Sequence, residues 1–113
     1  MFINFSGLSQ DGCLGKFLRK LLTLIPSRVV LPVMQGPLRG AKWISGSGVA
    51  GYWLGSYEAE KQKLFASLIR SGDVIYDIGA HVGFYTLLAS RIAGPTRKIF
   101  SFEPLPRNIE YLN

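Results

Sequence analysis

Two hydrophobic periods run through this chain, one helical and one alternating, and they predict its elements in order. Over residues 14–25, Phe17, Leu18, Leu21, Leu22, Leu24 and Ile25 recur at helical spacing, Lys16, Arg19 and Lys20 share another side, and Pro26 closes the segment. Packing against the rest of the protein is the expected use of this helix, and a short interfacial helix on an anionic membrane is the alternative. A loose lead-in over residues 1–13 precedes it. Residues 28–34 read as extended, with Pro32 confining them to a sheet edge. Gly36, Pro37 and Gly40 mark a turn, and residues 41–45, with Trp43, return, so a β-hairpin is expected across 28–45. Residues 46–56 are rich in Gly and Ser, carry Tyr52 and Trp53, and read as a loop or short irregular strand.

Ser56 is the expected N-cap of a helix over 57–70. Glu58 and Glu60 fall in its first turn, Leu64, Phe65, Leu68 and Ile69 form its apolar face, and Lys61, Gln62 and Lys63 occupy the opposite side. Gly72 ends it. Residues 73–78 form a strand of the buried type, residues 79–83 a glycine-bounded turn, and residues 83–93 a helix broken by Gly94 and Pro95. A second strand over 98–102 stops at Glu103, and Pro104 and Pro106 open a further helix, in which Asn113 is the last residue. The β-α-β order predicts a parallel strand pair with a right-handed crossover. The fold class expected is therefore α/β: the start of a Rossmann-like parallel sheet after an N-terminal helix and hairpin, divided as residues 1–56 and 57–113.

With 113 residues, 48% of them apolar, the chain suits one small domain with a core. A doubly wound sheet commonly has about five or six strands, and each strand-helix unit takes roughly 30 residues, so the sheet is expected to be incomplete. An unpaired strand edge then favours self-association and marginal stability. The formal charge of +6 is concentrated toward the N-terminus, where Lys16, Arg19, Lys20, Arg28, Arg39 and Lys42 face only Asp11 over residues 1–50. These residues are scattered, which favours a solvated basic face over a site for an anionic partner or a membrane surface, and no nucleic-acid partner is expected. A single cysteine, Cys13, excludes an internal disulfide and gives no metal-ligand spacing. Neither a secretory signal nor a transmembrane run is evident, and a cytoplasmic protein is expected.

The chemistry gathers at the carboxyl ends of the two parallel strands, where ligands bind in such sheets. Asp77-Ile78-Gly79-Ala80-His81-Val82-Gly83 runs an acidic strand end into a Gly-x-x-x-Gly turn. Glycine permits close backbone approach, and the next helix offers its free N–H groups there. Glu103, at the end of the following strand, stands where an acidic side chain accepts hydrogen bonds from ribose hydroxyls. The dinucleotide fingerprint Gly-x-Gly-x-x-Gly is not matched, because position 81 is His. Asp77 would repel a phosphate but attract a sulfonium or amino group. A nucleoside carrying a sulfonium, S-adenosylmethionine, therefore fits better than NAD, and an NAD-dependent oxidoreductase is the weakest reading.

Tyr76 to Leu88, followed by Phe102-Glu103-Pro104-Leu105-Pro106-Arg107-Asn108, resembles the opening half of an FkbM-family class I methyltransferase core, and Tyr52-Trp53-Leu54-Gly55-Ser56-Tyr57-Glu58 resembles that family's lead-in. The resemblance spans roughly residues 36–113. It implies methyl transfer from S-adenosylmethionine to an oxygen of a small molecule or sugar. By carry-over, Gly79, Ala80, His81 and Gly83 belong to the cofactor turn, Asp77 to the acidic position before it, Glu103 to the ribose contact, and Glu58 to the cofactor's edge. No catalytic base is assigned, and His81 reads as a turn residue. The alternative is a non-catalytic module of the same fold that binds a membrane surface or partner through its basic N-terminal half.

Overall fold

The computed structural model describes residues 12–112, so the expected lead-in and the terminal Asn113 lie almost wholly outside the described residues. The chain is mixed α/β and divides into two compact units, Met1–Ala59 and Glu60–Asn113.

In the first unit, helix α1 (Cys13–Thr23) precedes an antiparallel hairpin of β1 (Val30–Pro32) and β2 (Lys42–Ile44) and a single helical turn α2 (Gly51–Leu54). The first helix ends earlier than its apolar pattern. Pro26 disfavours helical backbone at the preceding residue, and the Leu24 and Ile25 N–H groups turn to the Leu21 and Leu22 carbonyls at 3.1 and 3.2 Å, which tightens the last turn. Gly15 is buried and Leu18 and Leu22 are half-buried, whereas Phe17, Leu21 and Leu24 are exposed. Only part of the apolar surface of α1 is thus packed.

The hairpin pairs Val30 with Ile44, Leu31 with Trp43 and Pro32 with Lys42. It is shorter than expected, and the chain on either side is held by other bonds. The Ser45 N–H donates to Val29 O at 2.9 Å, the Gly46 N–H to Ser27 O at 2.8 Å, and the Ser45 hydroxyl to Pro26 O at 2.6 Å. Val33, Leu38 and Trp43 form the core of this unit with Tyr52 and Trp53.

Residues 51–54 are helical, not a loop or an irregular strand. The aromatic pair decides this. One helical turn turns both Tyr52 and Trp53 inward, with the Tyr52 ring 5.3 Å from Trp43 and 4.5 Å from Tyr57, and the Trp53 carbonyl accepts the Met34 N–H at 2.9 Å. Burial of these rings outweighs the poor helix propensity of Gly51. Burial, with Tyr57 alongside, also pushes the Tyr52 hydroxyl up to about 12, so it stays protonated. Gly55 closes the turn at φ 74°, and a Cβ there would run into Gln35 O.

Helix α3 (Ala59–Leu68) starts at Ala59, so Ser56 is not its N-cap and Glu58 is not in its first turn. Glu58 instead takes a left-handed conformation, φ 43°, between α2 and α3, and Glu60 keeps the expected first-turn position. The helix is also rotated from the expected face. Gln62 is buried and Phe65, Ala66 and Ile69 are half-buried, while Leu64 and Leu68 are exposed. On the inward side the Phe65 ring meets Tyr85 edge-on at 5.0 Å.

The second unit continues with β3 (Val74–Ile78), α4 (Phe84–Ala93), β4 (Lys98–Phe102) and α5 (Pro106–Ile109), the last with Pro106 in its first turn. The two strands pair in parallel, Val74 with Lys98 through Ile78 with Phe102. The buried side of α4, formed by Phe84, Leu88, Ala89 and Ala93, packs against both strands. The expectation of a fully buried strand fails. Val74, Tyr76 and Ile78 lie with Phe100 and Phe102 on an exposed face, because α4 covers only the other one. The rings of that face stack, Tyr76 on Phe100 at 5.1 Å and on Phe102 at 6.4 Å. No helix among the described residues is long and apolar enough to cross a membrane.

Gly55→Ala is expected to cost about 2–3 kcal/mol, from the left-handed backbone and a carbonyl in the path of the new methyl. Gly40→Ala, at φ +82° with nothing within 4 Å of the new methyl, should cost only about 1 kcal/mol. Urea unfolding of the two variants checks the difference, and equal losses would contradict it.

Candidate functional site

The turn after β3 is built by hydrogen bonds from strand ends and by two left-handed glycines. The Gly79 and Ala80 N–H groups both donate to Phe102 O, at 2.9 and 3.0 Å, which extends the parallel pairing into the turn. Gly79 (φ +78°) and Gly83 (φ +88°) take conformations that other residues avoid, and Gly83 is also the N-cap of α4. Between them His81 is left-handed as well, φ 53°, with its side chain exposed. Ala80 and Val82 are buried, so alternate residues of the turn anchor it while Gly79 and His81 face outward. A Cβ on Gly79 would have nothing within 4 Å, so the space above this residue is open.

Glu103 closes the turn from the end of β4. Its Oε2 accepts the His81 N–H at 2.9 Å, and its Oε1 accepts the Leu105 N–H at 2.9 Å and Asn108 Nδ2 at 3.2 Å. One carboxylate thereby ties the loop after β3 to the loop after β4. The Leu105 N–H above all holds the carboxyl below the ordinary glutamate value of 4.5; desolvation opposes it, and Asn108 Nδ2 and the His81 N–H reinforce it. Three donors on two oxygens leave acceptor capacity at Oε2, which takes only one of them.

Asp77 serves a different contact. It pairs with Ser101 across the parallel strands and lies on the face that α4 covers. Thr86, in the first turn of α4, donates to Asp77 Oδ2 at 2.5 Å, and its Oγ1 lies 2.8 Å from Ser101 Oγ. The threonine has one hydroxyl proton, so with that proton on the carboxylate the serine donates to the threonine. Asp77 therefore joins the strand end to the helix immediately behind the glycine turn.

The structure brings Asp77, Gly79, Ala80, His81, Gly83 and Glu103 together around one turn. Glu58 belongs to the first unit. Thr86, Ser101 and Asn108 complete the polar set and were not singled out in the sequence. Their signal was the in-phase strand register, which puts Ser101 beside Asp77, and the position of Thr86 one turn into the following helix. Among the described residues no three His, Cys, Asp or Glu side chains converge as a metal site would require. A cavity of about 360 Å³ in the first unit, lined by Leu22, Ile25, Ser45, Gly48 and Trp53 among others, offers hydroxyls and apolar surface but no ionisable group. Comparison with protein-family models, curated proteins and solved structures finds no match.

Because the Glu103 carboxylate is depressed, its contribution to the turn is fully present above the unfolded glutamate value and is lost as pH falls through the lower, folded value. The His81 amide resonance should therefore titrate with a midpoint below the ordinary glutamate value of 4.5. NMR titration of the His81 amide tests this, and a midpoint above 4.5 would contradict it.

Proposed function

We propose that the turn over residues 79–83, with Glu103, is the nucleoside half of an S-adenosylmethionine site, and that this chain carries the cofactor-binding start of an FkbM-type class I methyltransferase acting on an oxygen of a small molecule or sugar. The observation that supports it is the Glu103 carboxylate, fixed by the His81 N–H at 2.9 Å beside the open space over Gly79. A ribose hydroxyl donating to Glu103 Oε2 would use the acceptor capacity left there. Oε1 already serves Leu105 and Asn108, so Oε2 is the oxygen that would take the ribose hydroxyl.

The same residues disfavour a dinucleotide. A pyrophosphate needs close glycine approach at the helix N-terminus, and here position 81 is His, with two carboxylates, Asp77 and Glu103, attached to the turn. Those carboxylates favour a cationic group instead. Bound S-adenosylmethionine supplies a methyl group activated by its sulfonium, so the protein's task is chiefly to align donor and acceptor. In this chain the bond from Thr86 to Asp77 stiffens the junction of strand and helix, and Glu103 fixes the turn that would carry the nucleoside. No residue is assigned as the base that takes the acceptor's proton.

Calorimetric titration with S-adenosylhomocysteine tests the reading. The chain should bind it, NAD should not compete, and Glu103→Ala should weaken binding by at least about ten-fold, as expected for loss of a charged hydrogen-bond partner. Failure of a folded chain to bind, or binding that Glu103→Ala leaves unchanged, would contradict it.

A further inference from the structure

The surface of α1 combines two properties in one place. Phe17, Leu21 and Leu24, spaced four and three residues apart, lie on one side of the helix, and they are 59%, 44% and 73% exposed. Their own unit does not cover them, since Gly15, Leu18 and Leu22 form the inward side. Lys16 and Lys20, also exposed, run along the flank of the apolar stripe one helical turn apart. From Gly12 to Tyr57 the chain contains six basic residues, Lys16, Arg19, Lys20, Arg28, Arg39 and Lys42, and no Asp or Glu. The connection after α1 is secured to the hairpin by the bonds of Ser45 and Gly46 to Pro26 and Ser27.

We propose that α1 docks this protein on an anionic lipid surface, lying in the plane of the interface. The chemistry selects that occupant. An exposed Phe and two Leu can enter the boundary between headgroups and acyl chains, and lysines beside them can extend their stems to keep the ammonium groups among the phosphates. A nucleic acid would satisfy the cations but leave the apolar stripe in water. An apolar groove on another protein would cover the stripe but would make no use of a 46-residue stretch without one acidic side chain. The helix is too short to span a bilayer, so the attachment is peripheral and reversible. This inference stands apart from the nucleotide-site reading, since it uses none of the same residues.

Co-sedimentation of the 113-residue chain with vesicles provides the test. The chain should bind phosphatidylcholine vesicles containing phosphatidylserine and bind pure phosphatidylcholine much less, with binding weakened by added salt. Lys16→Ala with Lys20→Ala should reduce partitioning by about twenty-five-fold, at roughly five-fold for each charge near the surface. Phe17→Gln with Leu24→Gln should abolish it. Both side chains are exposed, so this variant should melt as the parent does, and thermal unfolding checks that. Equal binding to both vesicle types, indifference to the lysines, or no binding by a folded chain would overturn the proposal. Dimerisation in solution that Phe17→Gln with Leu24→Gln abolishes, without vesicle binding, would assign the stripe to a second copy instead and would equally overturn it.

Discussion

The second unit depends on a carboxylate that reaches across from one strand end to the next. Strand pairing alone would bring β3 and β4 side by side and leave the loops beyond them independent. Glu103 removes that independence by accepting the His81 N–H on one oxygen and the Leu105 N–H and Asn108 Nδ2 on the other. His81 is itself left-handed in this turn, and left-handed glycines on either side let the loop turn tightly enough. The turn is consequently a preorganised shape with open space over Gly79, and it owes that shape to a residue 22 positions away from His81.

Behind the turn lies a second polar link. Ser101, Thr86 and Asp77 join strand, helix and strand in one chain of hydrogen bonds. Asp77 in this arrangement holds the frame while Glu103 faces the open side. Two carboxylates that look equivalent in the sequence, each at a strand end, thus have separate tasks set by their neighbours. Where groups are half-buried, as in this chain, losing one partner strands the others, so the link resists piecemeal change.

The strands and the helix between them were legible because their signals are local. Val74–Ile78 and Lys98–Phe102 are β-rich runs bounded by Gly and Pro, and Gly94 stops α4 where expected. Glu103 was legible from its distance to the turn, but its hydrogen bonds were not, since they depend on the backbone direction of His81. The errors arose where tertiary packing overrode local pattern. Gly51 and the surrounding Gly and Ser signal a loop, yet burying Tyr52 and Trp53 favours a helical turn. Periodicity places Leu64 and Leu68 on the inner face of α3, yet both are exposed and Gln62 is buried, with Phe65 packed on Tyr85. The exposed face of Tyr76, Phe100 and Phe102 was hidden for a related reason: composition tells that a strand is apolar, not which of its faces a helix covers.

If the Glu103-closed turn is a ligand site, an amide-resolved NMR titration with S-adenosylhomocysteine will show it. Progressive shifts are expected at Gly79, His81 and Gly83 and at Leu105, with the hairpin of the first unit unmoved. A well-dispersed spectrum in which those amides stay fixed, or in which the shifts fall on the hairpin instead, would contradict it.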